Sequence, residues 1–369
     1  MTAVRLLMMV RELGPGGTER QFTELAKALD PSRFEVHAGY FREGPRAEEL
    51  RAAGIRLVPV PVHSFLSPSV ASGAWMLRRY LREHSIDIVH TFDSPLNSFG
   101  TPVARWAGTR AVLSSQRAHR ALNSGMRWKL LRATDSIVDA VVVNCEFIRR
   151  HLIEQERVPG SRIRLCYNGI DGTRFFAAPR RRPAMLNEAE TIIGTVCVLR
   201  REKDLTTLQK AFASVADARP GLRLLIVGGG PEAEPLRENA RALGIEKQSV
   251  FVPAAADVTE WLHAIDIFVL PSLSEALSNS LMEAMGCGCT VIASDVGGNP
   301  ELVEHGKTGL LFRAGDSADL ARRIAELVEN ASLRAALADA AAARIRTDFS
   351  IESSVRRMSE IYEEFAPAR

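Results

Sequence analysis

The chain lacks the usual cysteine patterns: its five cysteines (Cys145, Cys166, Cys197, Cys287, Cys289) are odd in number and include no C-x-x-C pair. Neither a disulfide framework nor a zinc site is expected. No low-complexity tract or short tandem repeat is present. The apolar run Val4 to Val10 reaches only about a third of the roughly 20 residues that a membrane span needs, and it contains Arg5. With no signal peptide or anchor read from it, a cytoplasmic protein is expected. A net charge of +3 gives no reason to expect a nucleic-acid partner. Acidic residues are missing from Ser94 to Thr134, where seven basic ones occur: Arg105, Arg110, Arg117, Arg120, Arg127, Lys129 and Arg132. Such a stretch is either a solvated basic face or a surface for phosphates of a substrate or membrane. Trp106 and Trp128 within it favour a peripheral contact with an anionic membrane.

What is present describes an ordinary globular chain. At 369 residues, 46% hydrophobic and 25% charged, it is long enough for two cores, because single cores stop growing at about 250 to 300 residues. Short β-branched runs alternate with helical patterns, the signature of parallel sheets wrapped by helices. Strands are predicted near Val4 to Val10, Phe34 to Tyr40, Arg56 to Val60, Ile86 to Thr91, Ala111 to Ser115 and Ala140 to Asn144. A second series covers Thr191 to Leu199, Leu222 to Val227, Ser249 to Val252, Ile265 to Leu270 and Thr290 to Ser294. The linker falls near residues 173 to 190, giving doubly wound α/β domains over 1–172 and 173–350. The last helical stretch, Ile351 to Phe365, is expected to pack back on the first domain.

In such sheets ligands lie beyond the carboxyl ends of the strands, so the strand-end loops carry the chemistry. After the first strand, Gly16 and Gly17 allow close backbone approach, and Thr18 with Gln21 reads as a capping box opening a helix whose amides could hold an anion. The same residues also fit a plain turn. G-x-G-x-x-G is absent and no acid ends the second strand, which argues against a dinucleotide fold. His90 closes the fourth strand, either as a structural histidine or as an imidazole at the site; Gln116, Arg117 and His119 follow the fifth and could meet an acceptor.

In the second half, Lys203 sits at a helix start, where a cation is misplaced by roughly 0.3 to 1 kcal/mol. A bound polyanion would explain it, and so would a surface pair with Glu202 or Asp204. Gly228 to Gly230 offers another close approach. In Ser274 to Gly288, Ser280 and Glu283 fit a capping box. Glu275 precedes that helix and needs hydroxyl or amide donors to offset its desolvation. Leu277, Ser278 and Asn279 between the two acids offer amides to an anion, at roughly 1.5 to 3 kcal/mol per charged hydrogen bond.

Together these segments resemble the retaining glycosyltransferases of family 4: Glu275 and Glu283 match the E-x7-E motif. The likeness runs through Gly16 to Arg20, Ile88 to Thr91, Tyr167 to Asp171, Glu202-Lys203, Val269 to Ser272 and Gly297 to Glu301. The resemblance implies GT-B architecture, two facing Rossmann-like domains with a cleft between them. It implies transfer of a sugar from a UDP- or GDP-sugar donor to a hydroxyl acceptor; the basic stretch from Arg105 to Arg132 leads to the expectation of a lipid-linked or polysaccharide glycan acceptor at the inner face of the membrane. Glu275 would hold the donor sugar, Glu283 the ribose, Lys203 and the amides around Ser278 the diphosphate, with Gly17 against it and His90 facing the reacting sugar. Two departures stand out. Val198 occupies the place of a usual arginine, leaving Arg200 or Arg201 to compensate, and Thr290 replaces a common proline. No D-x-D pair occurs, so no cofactor or metal is expected and fixed charges would stabilise the leaving group. The resemblance also implies front-face attack, with the departing phosphate taking the acceptor proton. The alternatives are a sugar-nucleotide epimerase of the same architecture and a non-catalytic sugar-nucleotide-binding partner subunit.

Overall fold

Seven short runs rich in Val, Ile, Leu and Met make the first sheet: β1 (Val4–Glu12), β2 (Phe34–Arg42), β3 (Arg56–Pro59), β4 (Ile88–Thr91), β5 (Ala111–Gln116), β6 (Ala140–Val143) and β7 (Ile163–Leu165). All pairings are parallel, in the order β3-β2-β1-β4-β5-β6-β7. Strands buried on both faces read as continuous apolar runs, and β4, β5 and β6 are buried throughout. The computed structural model describes residues 3–118, 126–255 and 257–367. His119 and Arg120 lie outside the described residues.

The second sheet contains β8 (Thr191–Val196), β9 (Leu222–Val227), β10 (Ser249–Val252), β11 (Ile267–Leu270), β12 (Thr290–Ser294) and β13 (Leu310–Phe312), all parallel, in the order β10-β9-β8-β11-β12-β13. Both sheets reverse their winding beside the first strand of the series, the point where open α/β sheets place ligands.

The chain divides into two units. One contains Met1–Gly169 and Ile351–Arg369, the other Ile170–Ser350. In the first, the terminal helix Ile351–Phe365 buries Met358, Ile361 and Tyr362 in the same cluster as Leu6, Met8, Phe34 and Ile88. Apolar positions at this spacing lie on one helix face, so the last segment completes the first core. In the second unit Ile193, Leu208, Phe212, Leu224, Val269 and Ile292 form the centre of the core.

Two helix starts differ from the sequence reading. The helix Gly17–Ala28 is preceded by Gly16 with no side-chain cap; Gln21 instead donates Nε2 to Gly169 O at 2.7 Å and accepts from Gly169 N at 3.1 Å. The helix Asn279–Gly286 is capped by Ser278, whose Oγ accepts from Leu281 N at 3.3 Å. Glu283 therefore falls in the second turn, 3% exposed, and does not cap Ser280.

Candidate functional site

The loops leaving β8 and β11 interlock. After β8 the chain passes Cys197 to Asp204, tied down by Leu199 N to Gly229 O at 2.9 Å and Glu232 N to Leu199 O at 3.1 Å. Leu273 N donates to Glu202 O at 2.8 Å, so the segment after β11 is fixed to the turn that carries Lys203. The consequence is a direct ion pair between Lys203 Nζ and Glu275 Oε1, both side chains mostly shielded. Neither Glu202 nor Asp204 is its partner. Ser272, itself fully buried, donates Oγ to the same carboxylate oxygen at 2.8 Å. Burial works against the lysine charge, and the adjacent Glu275 carboxylate outweighs it, so Lys203 titrates above its ordinary range.

Glu275 is held from behind as well. Gly298 N donates to Ala276 O at 2.7 Å, Ser294 Oγ donates to Ser272 O at 2.6 Å, and Asn299 Nδ2 donates to Ser294 O at 3.0 Å. Ser278, Asn279 and the following turn open the helix beside this cluster, bringing the positive end of a helix dipole to the same strand ends. Leu277 is buried. Arg200 stays exposed and reaches Glu202 only at 3.9 Å, and Arg201 is exposed, so neither is drawn to the Lys203–Glu275 pair. Val198 is half exposed. No group of three or more His, Cys, Asp or Glu capable of holding a metal occurs among the described residues.

The first unit carries Gly16, Gly17, His90, Gln116 and Arg117 at its own strand ends. Glu19 folds its carboxyl against Gly16 and, by burial, titrates above its ordinary range. His90 is fully buried: Nδ1 is bonded to Tyr362 Oη at 2.8 Å and Nε2 to Ser115 Oγ at 2.9 Å. Burial, with the Arg117 cation nearby, holds the imidazole well below its usual pKa. Both ring nitrogens are engaged inside the unit, so this geometry supports a neutral structural histidine rather than one facing a reacting sugar. Gln116 donates Nε2 to Ala118 O at 2.5 Å, and Arg117 donates to Asn168 Oδ1 at 2.7 Å.

Two side chains of the basic stretch have acidic neighbours. Arg105 pairs with Asp139 at 2.8 Å, Arg132 approaches Glu156 at 3.9 Å, and Trp128 donates Nε1 to Glu156 at 2.9 Å. Trp106 remains exposed, with the Arg78 guanidinium 4.5 Å from its ring centre.

The sequence reading assigned no role to Asp93, which caps the helix Ser94–Ala107 through Leu96 N at 3.0 Å and also accepts from Arg11 N at 2.6 Å. Its signal was local: an Asp just before Ser-Pro. Burial pushes its carboxyl up to about 6 from an ordinary 3.8, against the pull of those two amides. A folded-state pKa above the unfolded one means that the folded protein binds the extra proton, so stability falls as pH rises from about 4 to about 6. Asn keeps the acceptor for Leu96 N without the charge, but its amide nitrogen cannot accept from Arg11 N, so that bond is lost. Asp93→Asn is expected to flatten that slope, with the lost Arg11 bond offsetting the relief of the buried charge at pH 7. Urea melts between pH 4 and 7 check this, and an unchanged slope would refute it.

The model for "Glycosyltransferase Family 4" matches residues 15–174, and that for "Glycosyl transferases group 1" matches residues 179–344. A D-inositol 3-phosphate glycosyltransferase of Thermobispora bispora is 31% identical, over 98% of this chain and 89% of that protein. A GDP-mannose-dependent alpha-(1-6)-phosphatidylinositol monomannoside mannosyltransferase of Mycobacterium tuberculosis is 29% identical, over 88% of this chain and 89% of its own length. In fold, the chain resembles Anabaena Alr3699/HepE, solved in complex with UDP-glucose, with a TM-score of 0.84 at 21% identity over 98% of this chain and 99% of that one. Matched along both halves by these models and by a full-length relative, and built on two parallel sheets of the GT-B type, the chain belongs to the family 4 glycosyltransferases.

Proposed function

We propose that the protein moves a sugar from a UDP- or GDP-sugar to a hydroxyl of a lipid-linked or polyol-phosphate acceptor, with retention at the anomeric carbon. The observation that carries this reading is the cluster of Lys203, Glu275 and Ser272 beside the N-terminus of the helix Asn279–Gly286. It sets a cation and a helix dipole where a diphosphate leaving group gathers charge, and a carboxylate where sugar hydroxyls can donate. Glu275 enters the reaction already oriented; a donor sugar exchanges its hydroxyls for the Ser272 contact, and Lys203 turns to the diphosphate. The bond from C1 to the diphosphate oxygen breaks and the acceptor oxygen bonds C1 on the same face. The departing phosphate takes the acceptor proton. In this reading Glu283 holds the ribose, and fixed charges serve in place of a divalent ion. The names of the relatives, an inositol phosphate and a phosphatidylinositol glycosyltransferase, support the acceptor class.

A cytoplasmic enzyme working at the inner membrane face fits the exposed Trp106 beside Arg78 and Trp75 beside Arg79, together with the exposed Phe65 and Leu66. Among the described residues no helix is long and apolar enough to cross a membrane. The test is release of UDP or GDP from a donor panel with and without inositol phosphates or phosphatidylinositol vesicles, with co-sedimentation measured in parallel. Nucleotide release that requires acceptor is expected. Epimerised donor without release, or binding without turnover across the panel, would replace this reading; failure to sediment with vesicles would remove only the membrane part.

A further inference from the structure

Arg117 is the residue whose surroundings the reaction above leaves unexplained. It follows β5 directly. One guanidinium nitrogen donates to Asn168 Oδ1 at 2.7 Å, and the guanidinium lies 4.8 Å from the ring centre of Phe92. Its Nε is shut off from solvent and has no hydrogen-bond partner. Among the described residues no carboxylate pairs with it; the titratable groups that face it are Cys166, Tyr362 and His90, all neutral at ordinary pH. The residue as a whole is half-buried, with its Nε end shielded; a shielded cation without a counter-charge is costly, and proteins keep one where a ligand supplies the missing charge.

A second orphan lies alongside. Gln116 is in register with Val143, so the next residues, Arg117 and Asn144, leave neighbouring strand ends together. Asn144 is 2% exposed, and its Oδ1 has no partner. A buried acceptor left unmade beside a buried donor left unmade is rare in native structures. The two are complementary to one chemical unit, an anionic group next to a hydroxyl: the guanidinium donates to the anion and the amide oxygen accepts from the O–H.

We propose that Arg117 and Asn144 form a subsite for an acceptor that carries a phosphate or carboxylate close to a hydroxyl, with Asn168 as the residue that orients the guanidinium. The name acceptor rests on the glycosyl-transfer reading; the anion site itself does not. Arg117 acts on specificity, and Lys203 in the other unit acts on the donor.

The experiment is hydrogen–deuterium exchange of the full chain, saturated with UDP, titrated with inorganic phosphate against chloride at matched ionic strength. Phosphate-specific protection is expected in peptides spanning 111–117 and 140–145, with half-saturation raised roughly tenfold in Arg117→Gln, the loss of one charge-assisted bond, and by less in Arg117→Lys, which keeps the charge if the Gln variant folds poorly. Absence of phosphate-specific protection in the wild type, or protection unchanged in Arg117→Gln, overturns the proposal. Protection of the segment 272–283 by UDP alone is read in the same data and bears on the donor site, so failure of one reading is separable from failure of the other.

Discussion

Lys203→Ala is expected to lower the transfer rate by about 10² to 10³, the loss typical of one preorganised group that meets charge as it develops. The loss should fall on kcat more than on KM, because the negative charge on the diphosphate grows only as the sugar bond breaks. The same substitution has a second effect that must be separated from the first. Lys203 and Glu275 are an ion pair with side chains 19% and 12% exposed, and removing one partner leaves the other as a buried charge, at a cost of about 3 to 5 kcal/mol when burial is complete and less here. Glu275 retains the Ser272 hydroxyl, which softens that cost. The double variant Lys203→Ala, Glu275→Gln removes both charges, so its melting temperature should recover most of the loss while its turnover stays low. Steady-state kinetics and thermal melts on the three proteins decide the matter. Turnover that recovers together with stability would mean that Lys203 serves only the fold, and unchanged turnover in Lys203→Ala would remove it from the site.

The pair also marks the limit of what could be read from sequence. Runs such as Leu222–Val227 and Thr290–Ser294 coincide with β9 and β12, because strands buried on both faces announce themselves as apolar β-branched stretches; the half-buried edge strand β10 (Ser249–Val252) was legible from its Val and Phe content. β7 and β13 have three residues each, too few for a periodic signal, and were missed. Thr191 to Leu199 was read as one strand, but β8 stops at Val196, since Cys197 and Leu199 turn aside to bond Val227 and Gly229. Local rules went wrong where a long-range partner competed: Gln21 fits a capping box but binds Gly169, 148 residues away. His90 stands at a strand end, yet Tyr362, 272 residues away, supplies its partner. Lys203 and Glu275 were each legible as odd charges at helix starts. That they meet depends on the backbone bond between Leu273 and Glu202, which no local pattern encodes.

Gly297→Ala should disable the site from behind. Gly297 has φ +58, and a Cβ there would lie 2.0 Å from the carbonyl oxygen of Glu275 and 2.8 Å from its carbonyl carbon. Backbone cannot rotate away as a side-chain tip can. Either the Gly297 turn opens, breaking the bond from Gly298 N to Ala276 O, or Glu275 moves with its carboxylate. The expected cost in stability is about 3 kcal/mol, combining a left-handed alanine with the displaced loop. A carboxylate displaced by about 1 Å costs on the order of 10²-fold in rate. Gly244 supplies the control in the same unit: its φ is +71, and an added Cβ would meet nothing within 4 Å. Gly244→Ala carries the conformational cost alone, about 1 to 2 kcal/mol, and should leave turnover at the wild-type level. If the two alanine variants lose activity in proportion to their loss of stability, the brace behind Glu275 has no part in catalysis. A rate loss confined to Gly297→Ala, at temperatures where both variants are folded, ties the position of Glu275 to the chemistry.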